Sequence, residues 1–434
     1  MATHLTVEEV VQLKKDYLSP AVSHNFATPP LFVRGEGEYM YDTEGRAYLD
    51  CCSGIAVVGA GHCNKSITDA LVDQLRTLQH SSSLYLTEPV VKLAKKMAEI
   101  APGKLAKSFF CNSGTEATEG AALMAKAYTG SSEFIALRHS YHGRSLFAAS
   151  FMGQGKNRWA APYMYGVSFA VNPYCYRCAF GLKHPECDLR CAKDIEQMIM
   201  SSTSGHLAGF IAETIQGNGG VVVPPPEYFK VVQDIMRRYG GLMIIDEVQA
   251  GMGRTGTGWY AIDHWGINPD IMTTAKGLGN GFPIGAFVVT PEVGAAIKPG
   301  QHFSTFGGSP MACAAALATI DYMETNKLIE NANTVGTYFI GKLLELKDKH
   351  SLIGDVRGMG LIIGVELVLD NKAPAAKAAG AVVEKAKDKG LLFTKGGIYG
   401  NVLRLLPMLT ISKSQVDEAV RIIDECVDEV ERQK

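Results

Sequence analysis

"GGLMIIDEVQAGMGRTG", residues 240–256, runs from an apolar stretch, Leu242-Met243-Ile244-Ile245, straight into two acids, Asp246 and Glu247. A short unbroken apolar run reads as a strand buried on both faces, the kind found in parallel sheets covered by helices. Asp246 then stands at the end of a buried strand. An unpaired charge there would cost several kcal/mol or more, so the residue requires a partner.

Working outward from this strand, a rhythm begins near residue 105. Apolar runs ("SFFCNSG", "EFIALRH", "GFIAET", "LMIIDEV", "DIMTTAK", "GAFVVT") mostly alternate with helical stretches such as 227–239. That alternation predicts a doubly wound α/β domain with a mainly parallel sheet, in which ligands gather beyond the carboxyl ends of the strands. The flanks differ. Thr6 and Glu9 have capping-box spacing, opening a short helix that Pro20 ends. Residues 31–50 alternate around Asp42-Thr43-Glu44-Gly45, a hairpin signal. Beyond about residue 325, "GMGLIIGVEL", "LLFTKGG" and "LRLLPML" read as three strands. A last helix follows, capped by Ser412 and Gln415, with Val416, Val420, Ile423, Val427 and Val430 on one face. The reading is an N-terminal segment (1–60) that joins a smaller α+β domain (326–434), and a large α/β domain (61–325).

Composition narrows the function classes. The 434 residues are 47% hydrophobic and 20% charged, with a net charge of −2, which gives no reason to expect a nucleic-acid or membrane-surface partner. No apolar run reaches the length of a spanning helix, and the N-terminus has no secretory pattern. Ten cysteines in such a chain read as mostly reduced thiols of a cytoplasmic protein. Four of them, Cys175, Cys178, Cys187 and Cys191, fall in "PYCYRCAFGLKHPECDLRC" with C-x2-C…C-x3-C spacing. That spacing resembles a tetrathiolate zinc site, but free thiols in a loop insertion are the plainer reading, and no metal is assigned.

The chemistry-bearing candidates sit at strand ends. In "FFCNSGTEATEGA" (109–121), Ser113, Gly114 and Thr115 join a strand to an alanine-rich helix, a place for either a phosphate or an ordinary cap. Lys276 ends a strand in "DIMTTAKGLGNGFP", thirty residues after Asp246. The nucleotide-hydrolase and dinucleotide glycine patterns do not occur. A strand-end aspartate, a strand-end lysine and a helix-start phosphate site together suit pyridoxal phosphate. The lysine holds the aldehyde, and the aspartate keeps the pyridine nitrogen protonated.

"IIDEVQAGMGRTG" followed by "PDIMTTAKGLGNGFPIGA", with "NSGTEA", "SYHGRS", "FSTFGGSP" and "LRLLPMLTIS" in order, resembles the class III pyridoxal-phosphate-dependent aminotransferases. The similarity runs from "GEYMYDTEGRAYLD" to the last helix. It implies the fold type I architecture and a homodimer, or higher homo-oligomer, with active sites at the subunit interface. By resemblance, Lys276 carries the cofactor and moves the proton, Asp246 partners the pyridine nitrogen, and Gln249 bonds the ring hydroxyl. Ser113, Gly114 and Thr115 form the phosphate loop. Tyr141 and His142 fall where an aromatic ring stacks on the cofactor, with Val248 on the other face. Glu213 is an acid near the cofactor, and Thr305 reaches the phosphate of the neighbouring subunit.

The resemblance also bears on substrate. Arg404 matches the binder of the α-carboxylate and Arg144 a binder of a distal carboxylate in the 4-aminobutyrate branch, with Ile55 lining the same pocket. Relatives that use 2-oxoglutarate often carry "QGEGG", whose glutamate masks the arginine. Here the turn is "QGNGG", with Asn218. A neutral amide forms no such ion pair, so Arg404 is expected to stay available. A small oxo acid such as pyruvate or glyoxylate is the expected acceptor, with alanine or an ω-amino acid as donor in ping-pong transamination. A 4-aminobutyrate:2-oxoglutarate enzyme, an amino-acid racemase and an amine phospho-lyase are the alternatives on the same scaffold.

Overall fold

The computed structural model describes residues 5–159 and 165–433. Its centre is a seven-stranded sheet in the order Lys107–Cys111, Gly285–Val289, Ile271–Thr274, Leu242–Asp246, Gly209–Glu213, Phe134–Leu137, Val167–Ala170. Six strands point one way. Gly285–Val289 alone is antiparallel to both of its neighbours. This is the mainly parallel α/β sheet expected, and each of the six apolar runs is a strand of it. The seventh, Val167–Ala170, was missed because its four residues, Val-Ser-Phe-Ala, are short and only its last is fully buried.

Helices cover the sheet. The helix Gly114–Thr129 presents Ala121, Ala122 and Ala125 to Phe134, Ile211, Ile244 and Phe287. Small side chains allow close approach: a Cβ on Gly120 would lie 2.2 Å from the Phe287 ring. On the other face, Tyr228–Arg238 buries Phe229, Val232 and Met236. Every residue of Leu242–Asp246 is buried. Burial of each such isoleucine contributes about 1.5–3 kcal/mol.

Two four-stranded sheets lie outside the central one. The predicted hairpin pairs Tyr41 with Ala47 across the Asp42–Gly45 turn, and that sheet then gains Leu391–Leu392, parallel to Ala47–Asp50. "LLFTKGG" is therefore not one strand. At the buried Phe393 the chain leaves this sheet, and Thr394–Gly396 pairs with Val402–Leu405 in the other. "GMGLIIGVEL" likewise straddles a hairpin: Gly358 and Met359 end the strand Ile353–Met359, the chain turns at Gly360 with φ +54°, and Ile362–Leu367 runs back. Both capping boxes form, at Thr6/Glu9 and Ser412/Gln415. Val420 sits at the edge of the last helix's buried face rather than inside it. Among the described residues no helix is long and apolar enough to cross a membrane.

Candidate active site

The strand ends converge. Register places Glu213 beside Asp246 and Asp246 beside Thr273, two residues before Ala275 and three before Lys276. Above them opens a cavity of about 350 Å³. Its walls include Ser113, Gly114, Thr115, Tyr141, His142, Arg144, Glu213, Asn218, Asp246, Val248, Gln249 and Lys276.

Asp246 has its partners within the chain. His142 Nδ1 lies 2.6 Å from its Oδ2, and since a carboxylate only accepts, the ring nitrogen donates. Oδ1 accepts from the Val248 amide at 3.0 Å and from the Thr273 hydroxyl at 3.1 Å. His142 thus supports Asp246 from a buried position while its ring also lines the cavity. Tyr141 lines the cavity beside it. The second acid, Glu247, turns away and accepts from Thr214 Oγ1 and the amides of Ala261 and Ile262. Burial still pushes its carboxyl up to about 8.

Glu213 accepts from the amides of Tyr141 at 2.8 Å and Gly217 at 3.0 Å. Burial raises its carboxyl to about 7 against the pull of His142. Lys276 follows its strand in the left-handed region, φ +46°, an unfavourable conformation for a lysine that the surrounding fold must hold in place. Burial, then the Arg404 charge, lowers its amine to about 8, with Asp246 and Glu213 opposing. About a tenth of such amines are neutral at pH 7, far more than for an ordinary lysine.

The helix start serves as a cap and as a cavity wall at once. Ser113 Oγ accepts from the Glu116 amide at 3.4 Å, while Thr115 Oγ1 meets Ser145 Oγ at 2.6 Å. A Cβ on Gly114 would lie 2.9 Å from Val248 Cγ1, so only glycine lets the two walls approach. Two buried polar atoms lining the cavity, Gln249 Oε1 and His142 Nε2, have no partner among the described residues. A flat heteroaromatic ring with a hydroxyl and a phosphate suits this set of donors and orphans, and pyridoxal phosphate fits it.

At the far side, Arg404 is buried, at 4% exposure. It contacts only neutral acceptors, Asn218 Oδ1 at 3.3 Å and Thr394 Oγ1 at 3.4 Å, both at the limit of hydrogen bonding. Among the described residues it has no ion pair. It is not bare either, because the Asn218 amide lies at the cavity wall with Arg404 behind it. Asn218 is itself held by Gln154 at 3.1 Å. Arg144 lines the cavity and its guanidinium has no hydrogen bond among the described residues. Two expected residues stand apart. Thr305 is exposed and does not line this chain's cavity. Ile55 is 46% exposed, and Val57 lines the wall instead. Sequence reading passed over Thr273, Gln154 and Thr394, whose roles appear only once strand register and turn packing are known.

Cys175, Cys178, Cys187 and Cys191 border one small cavity, with His184 beside them. None is in a disulfide. Among the described residues no group of three or more His, Cys, Asp or Glu is arranged to hold a metal.

Comparisons with known proteins agree with this geometry. Residues 21–427 match the family described as aminotransferase class-III. Alanine–glyoxylate aminotransferase 2 homolog 2, mitochondrial, of Arabidopsis thaliana is 42% identical over 96% of this chain and 87% of its own. A leucine/methionine racemase of Thermococcus litoralis is 37% identical over 98% of this chain and 96% of its own. An amine transaminase from an uncultivated Pseudomonas species, solved in its PLP-bound form, superposes with a TM-score of 0.89 at 30% identity, covering 95% of this chain and 98% of its own. The chain is a pyridoxal-phosphate enzyme of fold type I and belongs to the class III aminotransferases.

Proposed function

We propose that this enzyme moves the amino group of alanine or an ω-amino acid to a small oxo acid such as pyruvate or glyoxylate, by a ping-pong route. The observation that carries this reading is Arg404, a buried guanidinium facing the neutral Asn218 instead of a carboxylate. A substrate α-carboxylate exchanges a long contact with an amide for a charge-assisted fork, and no internal anion competes for it. The cavity then has little use for a second substrate carboxylate, except at Arg144.

Bound pyridoxal phosphate supplies an electron sink for charge that develops on the substrate carbon. The chain's own residues do the rest. Asp246, fixed by His142 and Thr273, would hold the ring nitrogen, Gln249 would accept from the ring hydroxyl with its unpartnered oxygen, and Ser113, Gly114 and Thr115 would hold the phosphate. Lys276, whose lowered amine is readily neutral, takes and returns the substrate proton as general base. Thr305, exposed in a single chain, suits a role at the neighbouring subunit's phosphate. The working unit is thus proposed to be a homodimer, acting in the cytoplasm.

A second reading rests on Arg144, whose free guanidinium would suit the distal carboxylate of 4-aminobutyrate or 2-oxoglutarate. Racemisation and phospho-lyase chemistry use the same lysine. The test is a half-reaction on purified holoenzyme, mixed with single amines and then with single oxo acids, while following the cofactor's absorption. Transamination requires that an amine bleach the band and an oxo acid restore it. Ammonia release or inversion of a single amino acid, with no need for acceptor, would refute it.

A further inference from the structure

The segment 173–191 carries no role in the chemistry above, yet two of its residues enter a buried ion cluster. Glu366, on the strand Ile362–Leu367, is 1% exposed. Arg177 Nε reaches its Oε1 at 2.5 Å, and the Tyr174 hydroxyl donates to its Oε2. Asn401 adds a donor at 3.3 Å, and Arg357 Nη1 lies 2.9 Å from Oε2. Burial alone would raise the Glu366 carboxyl, but Arg357 and the Tyr174 and Arg177 donors outweigh it and hold it below the ordinary range. Such a cluster is a poor source of net stability, since burying both charges costs much of what pairing returns. What it does supply is a fixed guanidinium.

Arg357 spends the rest of its fork on one turn. Its Nε donates to the carbonyls of Gly220 at 3.1 Å and Val221 at 2.9 Å, and its Nη2 to Gly220 at 2.6 Å. Nη1 also meets Asp355 at 2.7 Å, and the Tyr174 ring lies 4.8 Å beneath. That turn, closed by Gln216 and Val222, carries Asn218. From the opposite side the Gly397 amide donates to the Asn218 carbonyl at 3.0 Å. Gly220 sits at φ +110°, where a Cβ would come within 3.2 Å of Gly397. The turn is wedged between Arg357 and the strand pair that holds Arg404.

We propose that Arg357, aimed by Glu366 and braced by Tyr174 and Arg177, is a positioning residue that sets Asn218 against Arg404 and so tunes capture of the substrate α-carboxylate. This rests on the reading of Arg404 as the carboxylate binder. Arg357→Lys keeps a charge for Glu366 but cannot span two carbonyls, because an ammonium lacks the planar fork. The experiment uses the holoenzyme with pyruvate, glyoxylate and 2-oxoglutarate, which share one α-carboxylate. It reads KM, kcat, the cofactor dissociation constant and Tm. The expected result is a rise of about tenfold in KM for every acceptor used, with kcat and the cofactor constant within about twofold. Tyr174→Phe with Arg177→Met, which leaves Arg357 in place, should move KM the same way by less, and it stands in if Arg357→Lys does not fold. Unchanged KM in the folded variants, or a fall in Tm and cofactor affinity without a KM effect, overturns the proposal. Arg404→Gln is the control. If it leaves KM unmoved, the carboxylate reading has failed. If it raises KM while Arg357→Lys does not, only the positioning role is wrong.

Discussion

The two ends of the cavity are built differently. Around Asp246 the contacts are short, at 2.6, 3.0 and 3.1 Å, and the carboxylate's partners come from its own strand end, the strand beside it and the loop after Phe134–Leu137. Around Arg404 they are long: the 3.3 Å contact joins its strand to the Asn218 turn of the large sheet, and the 3.4 Å contact stays within its own sheet, to Thr394 on the next strand. The first arrangement is over-determined and leaves little freedom to a ring placed on it. The second can exchange one neutral contact for a substrate's charge. On the proposed reading, the end that would hold the cofactor is fixed by short contacts, while the end that would take the substrate carboxylate is held by long ones.

Breaking the rigid end should have the largest effect. Lys276→Ala is expected to lower transamination by about 10²–10⁴-fold or more, the usual worth of a positioned base. Single-turnover rates with alanine would check it, and activity near wild type would remove Lys276 from the mechanism. Asp246→Asn keeps the shape but removes the charge that His142 supports. It should cost about 10²–10³-fold in kcat, as for loss of a preorganised electrostatic group. If it instead matched wild type, the ring nitrogen would have no need of Asp246.

A gentler probe is pH. The Lys276 amine, lowered to about 8, gains its reactive neutral form as pH rises through that value. Covalent cofactor uptake by the apoenzyme should therefore quicken about tenfold from pH 7 to 9 and then level off. A rate still climbing steadily at pH 10 would mean an ordinary lysine. At the adjustable end, Thr394→Val deletes a single 3.4 Å contact to Arg404. It should change kcat/KM by about twofold at most, since a long neutral hydrogen bond contributes only about 0.5 kcal/mol. A tenfold loss would show that this end is as tightly held as the other.

The same contrast decides what could be read from the sequence. Asp246 and Lys276 were legible because each ends an apolar run, and a polar residue there is conspicuous. Ser113 to Thr115 were legible as a strand-to-helix turn. A partner of Asp246 within the chain was harder: His142 is 104 residues away, and only folding reveals that its ring nitrogen donates to the carboxylate. Arg404 and Asn218 stand 186 residues apart, joined by no local pattern. The split of "LLFTKGG" between two sheets was hidden for a related reason. Alternation marks a strand but not which neighbour it chooses, and here the change falls at one buried residue, Phe393. Ile55 lies in the left-handed region at φ +67° and is exposed in the single chain, while Val57, two residues on, lines the cavity wall.

The measurement that goes straight to the central claim is acceptor selectivity in wild type and Asn218→Glu. The kcat/KM for pyruvate, glyoxylate and 2-oxoglutarate would be compared with one donor. The neutral amide beside Arg404 predicts that wild type favours the small acceptors by about tenfold or more, and that the glutamate shifts the ratio toward 2-oxoglutarate. Equal use of all three acceptors, unchanged by Asn218→Glu, would contradict it.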